Sequence, residues 1–410
     1  MGFTQGLSGL NTSSRALDVI SNNIANTSTV GFKSSHAIFA DVYAGALTGV
    51  SSAIQIGYGS KITAVYQSFV DGMPTTTNNP LDMAIIGNGF YVIERFDGSI
   101  AYTRNGQFDI NKDGFLVTPT GEKVLGVRAN DDGVIPPSGG INEPLFVPKG
   151  DIDPKFTTLV EIRSGNLNAD DDVPIHAPFD PADLESYNFM HTIPVYDSLG
   201  GQHSMAIYFV KMGPGAWEAH AMLDNDITTL SPAGTPLAFD AYGKPVATPV
   251  LIPYTATLTS SAAALNITID LTNLTQFGSK FGITDHWQDG YTSGQIAGIV
   301  VSQDGIIQGR YTNGQTKNLG QVVLATFRSN QGLGRVGDNM WVESAESGPP
   351  IIGRPRSGLN GLISGGQVEE SNVDLTQELV NMIIQQRNYQ ANAQTIRTQD
   401  QIMQTLVNLR

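Results

Sequence analysis

The last forty residues, 371–410, read SNVDLTQELVNMIIQQRNYQANAQTIRTQDQIMQTLVNLR and contain no Gly and no Pro. The other 370 residues hold all 45 Gly and all 21 Pro. So long a run without either breaker predicts one continuous helix, about 60 Å long at 1.5 Å per residue. Leu375, Leu379, Met382, Gln386, Tyr389, Ala393, Ile396, Asp400, Met403 and Val407 recur at spacings of four and three, and eight of the ten are apolar. That is the seam of a coiled coil. Asp374 and Glu378 lie in the first turns and Arg410 ends the chain, as the helix dipole favours. With Leu375 at heptad position d, Val380, Ile384, Ile402 and Leu409 fall off the seam, where a two-helix pairing leaves them in water. The helix therefore calls for more than one neighbour.

The other end of the chain repeats the pattern. Phe3, Leu7, Leu10, Leu17 and Ile24 keep the four-three spacing, with Ser14 and Ser21 in the gaps, and the helix over residues 1–26 is weakened by Gly2, Gly6 and Gly9. Neither stripe has a partner nearby in sequence, so the expected fold brings the termini together and leaves the rest as a long insertion. Ordering roughly 70 helical residues costs about 1–2 kcal/mol each in backbone entropy. One pairing with exposed outer faces does not offset that, and the tails are expected to order fully only among copies of themselves.

Composition narrows the function. A net charge of -15, from 23 basic and 38 acidic residues, argues against nucleic acid and anionic membrane as partners. No apolar run approaches the roughly 18 residues of a membrane span. The N-terminus has neither the positive start nor the apolar core of a cleaved secretory signal, so export, if it occurs, is expected by another route. Zero Cys excludes disulfides, thiolate nucleophiles and Cys-ligated metal.

At 410 residues two or three domains are expected. Residues 1–30 and 367–410 are assigned to terminal helices, 31–80 and 346–366 to linkers. Residues 81–141 and 286–345 read as one discontinuous β domain. Its turn signals are Asp97-Gly98, Asn105-Gly106, Asp113-Gly114, Asp304-Gly305 and Asn313-Gly314. Residues 142–285 read as a second, all-β domain inserted in the first. The fold class is thus multidomain, with paired long terminal helices and two mainly-β domains, one within the other.

Chemistry is sparse. Residues 109–114, DINKDG, match the start of a calcium loop, but position twelve is Thr120 instead of Glu and the flanks are strands, so a solvated turn is favoured. Gly57-Tyr58-Gly59 and Gly87-Asn88-Gly89 lack the third glycine of a phosphate cradle. His36, His176, His191, His203, His220 and His286 show no zinc spacing. No catalytic residue, metal or cofactor is assigned.

Several stretches carry a resemblance. SNNIANTSTVGFK, residues 21–33, follows GLSGLNTSSRALDVI and resembles the N-terminal signature of bacterial flagellar axial proteins, the rod and hook family. The residues that carry it are Asn22, Asn23, Ile24, Ala25, Asn26, Thr29, Gly31, Phe32 and Lys33. Residues 386–409 are similar to the matching C-terminal helix, and DMAIIGNGFYVI and YTRNGQF to the opening of the family's first domain. The resemblance implies a flagellar structural subunit outside the cell, with paired terminal helices lining a channel and an outer inserted β domain. The size of the middle favours a hook subunit, polymerising into a flexible curved tube. A distal rod subunit and, from another class, a secreted adhesin or glycan-binding protein are the alternatives. Implied partners are further copies of the chain, distal rod, hook cap and hook-filament junction proteins, and the flagellar export apparatus. Phe39 and Tyr43 resemble the family's short export-gate element, although without the resemblance they read as a buried pair.

Overall fold

The computed structural model describes residues 2–42, 57–137, 143–148, 150–231, 234–258 and 261–408. The chain divides into two compact units. The first comprises residues 1–149, 298–310 and 316–410, and the second residues 150–297 and 311–315.

The first unit holds both long helices, Gly2–Ala25 and Leu375–Asn408. Asp374 caps the second, its Oδ1 accepting from the backbone N–H of Thr376 at 2.9 Å and Gln377 at 3.1 Å. The first stops in ANTSTVG, where Asn26 and Thr27 side chains donate to the carbonyls of Asn22 and Ile24. Gly31 then takes φ 70° and lies so close to the Arg104–Asn105 peptide that a Cβ there would stand 2.6 Å from the Asn105 nitrogen. Residues 31–80, expected as linker, contain an antiparallel ribbon: β1 (Ser35–Val42) pairs with β2 (Gly59–Gln67). The ribbon packs on the first helix through small polar groups, with Thr12 Oγ1 3.1 Å from Ser60 Oγ.

The body of this unit is one large sheet. Along its main path the strands run in the order Ile296–Val301, Ile306–Tyr311, Thr316–Val322, Lys123–Arg128, Phe90–Glu94, Ile100–Thr103, Met340–Val342 and Gly334–Gly337. Phe90–Glu94 is buried on both faces because its alternate side chains serve two cores. Tyr91 joins Met83, Leu116, Val124, Val322 and Leu324 on one side. Phe90 and Val92 join Tyr102 and Trp341 on the other, where Phe90 and Trp341 meet edge-to-face at 5.5 Å. Residues 346–366, also read as linker, supply strands instead: Ile351–Gly353 pairs with Leu324–Thr326, and Leu362–Gly365 with Met83–Ile86.

The second unit runs from residue 150 to 297, where residues 142–285 were expected. Its four-stranded sheet, Phe189–Tyr196, Gln202–Gly213, Ala216–Leu223 and Thr235–Ala238, is antiparallel throughout. A five-stranded sheet is built around Leu159–Asn168. Both contribute to one core that holds Val160, Ile162, Ile207, Phe209, Trp217 and Ile267.

Four of the five turn signals hold: Gly98, Gly114, Gly305 and Gly314 all take positive φ. Asn105-Gly106 makes no such turn. Gly106 accepts from the Met83 N–H at 2.9 Å, and a Cβ on it would fall 1.6 Å from the Met83 carbonyl, so close approach accounts for this glycine. In DINKDG the Asn111 side chain closes the turn on the N–H groups of Asp113 and Phe115, both at 2.9 Å.

Candidate assembly surface

The two helices meet, with glycines of the first close to Asn392 and to the seam residue Ile396 of the second. A Cβ on Gly6 would lie 3.0 Å from Ile396 Cγ1, and one on Gly9 2.7 Å from the Asn392 amide. Asn23 Nδ2 reaches Glu378 Oε1 at 3.3 Å. Residue numbers rise on one helix as they fall on the other, so the pair is antiparallel. The face turned inward includes Gly6, Gly9, Ser13, Ala16 and, two turns on, Asn23, small or polar residues that let the backbones approach closely. Opposite it stand Glu378, Asn392 and Ile396.

About half of the predicted stripe is left exposed in the single chain. Phe3 and Leu7 are exposed, Phe3 by 49 %, while Leu10, Leu17 and Ile24 are half-buried. On the second helix Leu375, Leu379, Tyr389, Met403 and Val407 are exposed, Leu379 by 45 % and Val407 by 70 %. Met382 and Ala393 are half-buried. Ile396, also half-buried, faces Gly6 of the partner helix. Off the seam, Val380, Ile383, Ile384, Ile402 and Leu406 are exposed as well. With Gly6 opposite Ile396, the first helix ends near residue 400 of the second, and residues 402–407 run past it. So many large apolar side chains on one helix exceed what an isolated soluble domain leaves in water.

The signature residues turn inward instead. Asn23 is fully buried; it exchanges hydrogen bonds with the Ser35 backbone, Nδ2 donating at 2.8 Å and Oδ1 accepting at 2.9 Å. Phe32 and Lys33 are buried, and Asn22 is exposed on the helix's outer side. Asn26 Oδ1 accepts from Thr29 Oγ1 at 3.1 Å. Lys33 Nζ forms a 2.6 Å ion pair with Glu369, which in turn meets Arg104 at 3.2 Å. Burial pulls the Lys33 ammonium below its ordinary range, and the Glu369 carboxylate opposes that. Phe39 lies on β1, opposite Ile62 and 40 % exposed, so the buried-pair reading does not describe it. Tyr43 lies outside the described residues.

Four family models match segments of the chain. Residues 5–33 match the flagella basal body rod protein family, and 364–409 the C-terminal family of flagellar basal body rod FlgEFG proteins. Residues 84–172 match the D1 domain of flagellar hook proteins FlgE/F/G, and 166–291 the D2 domain of flagellar basal body protein FlaE. The flagellar hook protein FlgE of Salmonella typhimurium LT2 is 40 % identical over 412 residues, spanning all of both chains. The chain belongs to the flagellar hook protein family. The hook protein of Escherichia coli K12 is 39 % identical over all of both chains, and that of Borreliella burgdorferi 31 % identical over 99 % of this chain and 98 % of its own. The crystal structure of Helicobacter pylori hook protein FlgE2 shares the fold at TM-score 0.55 and 16 % identity, covering 73 % of this chain and all of that one.

Within this family member, the sequence reading missed the inward helix face and the partners of Lys33. The small-residue spacing Gly6, Gly9, Ser13, Ala16 was available as a signal for the first. Nothing local marks the second, because Glu369 is 336 residues from Lys33.

Proposed function

We propose that this chain is the structural subunit of a bacterial flagellar hook. It polymerises with itself into a flexible curved tube that passes motor torque to the filament, and it performs no catalysis. The terminal helices form the inner assembly layer, packing in coiled-coil fashion against helices of other copies. The β-rich unit of residues 150–297 is carried as a domain inserted in the first. Its partners are further copies, the rod, cap and junction proteins at the tube ends, and the export apparatus that delivers it outside the cell without a cleaved secretory signal.

The observation that carries this reading is the division of labour on the helices. They approach inside one chain at Gly6 and Gly9, and Phe3, Leu7, Leu375, Leu379, Ile383, Met403 and Val407 remain exposed. Burying apolar surface is worth about 25 cal/mol per Å², so such faces favour association with several neighbours. Negative-stain electron microscopy of concentrated purified protein tests it. Curved tubes are expected; straight rods would point to a rod subunit, and dispersed particles to a protein that does not self-assemble.

A further inference from the structure

We propose that Glu369 closes a buried ionic clasp that makes assembly conditional on both chain ends having docked, an inference that rests on the self-assembly reading. Glu369 ends the strand Gln367–Glu369, five residues before the cap of the C-terminal helix. Its Oε1 accepts from Lys33 Nζ at 2.6 Å and from the Gly72 N–H at 2.7 Å, and its Oε2 from Arg104 at 3.2 Å. Its backbone carbonyl accepts from the Gly31 N–H at 2.8 Å. One residue thus joins the exit of the N-terminal helix, the stretch before the first body strands, and the sheet itself. The Lys33, Arg104 and Glu369 side chains are 0, 2 and 2 % exposed.

The other contacts of the two cations do not replace it. Lys33 donates to the Val70 carbonyl and Arg104 to the Gly87 carbonyl, each at 2.8 Å. The remaining carboxylate, Asp71, touches Arg104 at 3.2 Å and is 41 % exposed. Without Glu369, two buried cations would face one another with a single half-solvated anion, an arrangement that opens instead of staying dry. One side-chain amide, Asn372, reinforces the clasp. Asn372 Oδ1 accepts from the Ser34 N–H at 2.7 Å, and Asn372 Nδ2 donates to the carbonyls of Ser68 at 2.9 Å and Val70 at 3.0 Å. Because Lys33 and Glu369 lie 336 residues apart, the clasp closes only once the C-terminal segment is in place. Until then the N-terminal helix has neither a fixed exit nor its partner helix, and its apolar face is not presented in a fixed geometry to another copy. Lys33, Arg104 and Glu369 are therefore positioning residues for assembly.

The test uses full-length protein and the variants Lys33→Met, Glu369→Gln and the double variant, followed by hydrogen exchange and by polymer sedimentation. In each single variant, exchange over residues 12–25 and 376–400 should rise at least about tenfold while residues 150–297 exchange as in wild type. The concentration needed to polymerise should rise at least about tenfold as well, and the double variant should lose less than the product of the two single effects, as coupled partners do. Asp71→Asn, which spares the Lys33–Glu369 pair, should stay within about threefold of wild type. Helices that exchange at the wild-type rate in both single variants overturn the proposal. So does an unchanged polymerisation threshold despite faster exchange, or strictly multiplicative effects in the double variant. Wild-type protein that exchanges as expected but never polymerises overturns the self-assembly reading and leaves the clasp as a joint within the subunit.

Discussion

The C-terminal helix and the unit of residues 150–297 use apolar residues in opposite ways. In that unit Val160, Ile207, Phe209 and Ile269 are wholly buried in a core built from its own two sheets. Along the helix, Leu375, Leu379, Ile383, Met403 and Val407 stand in water while Glu378 is buried and Asn392 meets Gly9. Hydrophobic side chains therefore stabilise the unit of residues 150–297 within one chain, whereas on the helix many of them stay exposed in the single chain, on the face proposed above to meet other copies. Where the apolar residues are covered separates the part of the molecule that builds a core of its own from the part proposed to assemble.

The largest effect should come from the inserted core. Ile207→Asp places a carboxylate at a fully buried site and should destabilise that unit by about 4 kcal/mol or more, enough to abolish its thermal transition. If the helices of that variant keep their hydrogen-exchange protection, the two regions are independent as argued.

Gly9→Val comes next. A Cβ there already falls 2.7 Å from the Asn392 side chain, so the larger residue should weaken the helix pair by about 1–3 kcal/mol and abolish polymer. Calorimetry should find the inserted unit's transition unmoved. Ile396→Asp should behave similarly, since Ile396 contacts Gly6 within the same chain and is not a free assembly residue.

A smaller, pH-dependent effect is expected in the unit of residues 150–297, where His203 Nδ1 lies 2.5 Å from Asp224 and Nε2 3.3 Å from Asp197. Burial lowers the imidazole's pKa, but the hydrogen bonds to the two carboxylates outweigh it and the net shift is upward. A raised folded-state pKa contributes stability that is complete below the unfolded value of about 6.5 and lost as pH rises through the folded value. His203→Gln should therefore lower the inserted unit's melting temperature at pH 5.5 and change it little at pH 9. Equal losses at both values would remove the charge from the explanation.

Much of this contrast was legible in the sequence, though not the side of the helix on which it would be read. The absence of Gly and Pro after residue 371 forces a helix whatever surrounds it, and Asp97-Gly98 or Asp304-Gly305 need a turn because glycine there takes positive φ. The four-three stripe marks residues that are unstable in water, but periodicity does not say whether their cover lies in the same chain or in another. That is why Leu379 and Val407 were found as a seam, while Gly6 and Gly9 were read as weak points and not as contact points. The clasp was hidden for a different reason. A lone Lys33 and a lone Glu369 are ordinary surface residues until the fold buries both.

The most direct measurement is the double variant Leu379→Asp/Val407→Asp, compared with wild type in calorimetry of the monomer and sedimentation of the polymer. Both residues are exposed in the single chain, so every unfolding transition should stay within about 0.5 kcal/mol of wild type. Polymer should be absent, because two carboxylates would enter packed helices at every subunit. Tubes forming at the wild-type concentration would contradict the claim that the exposed helix face is the assembly surface.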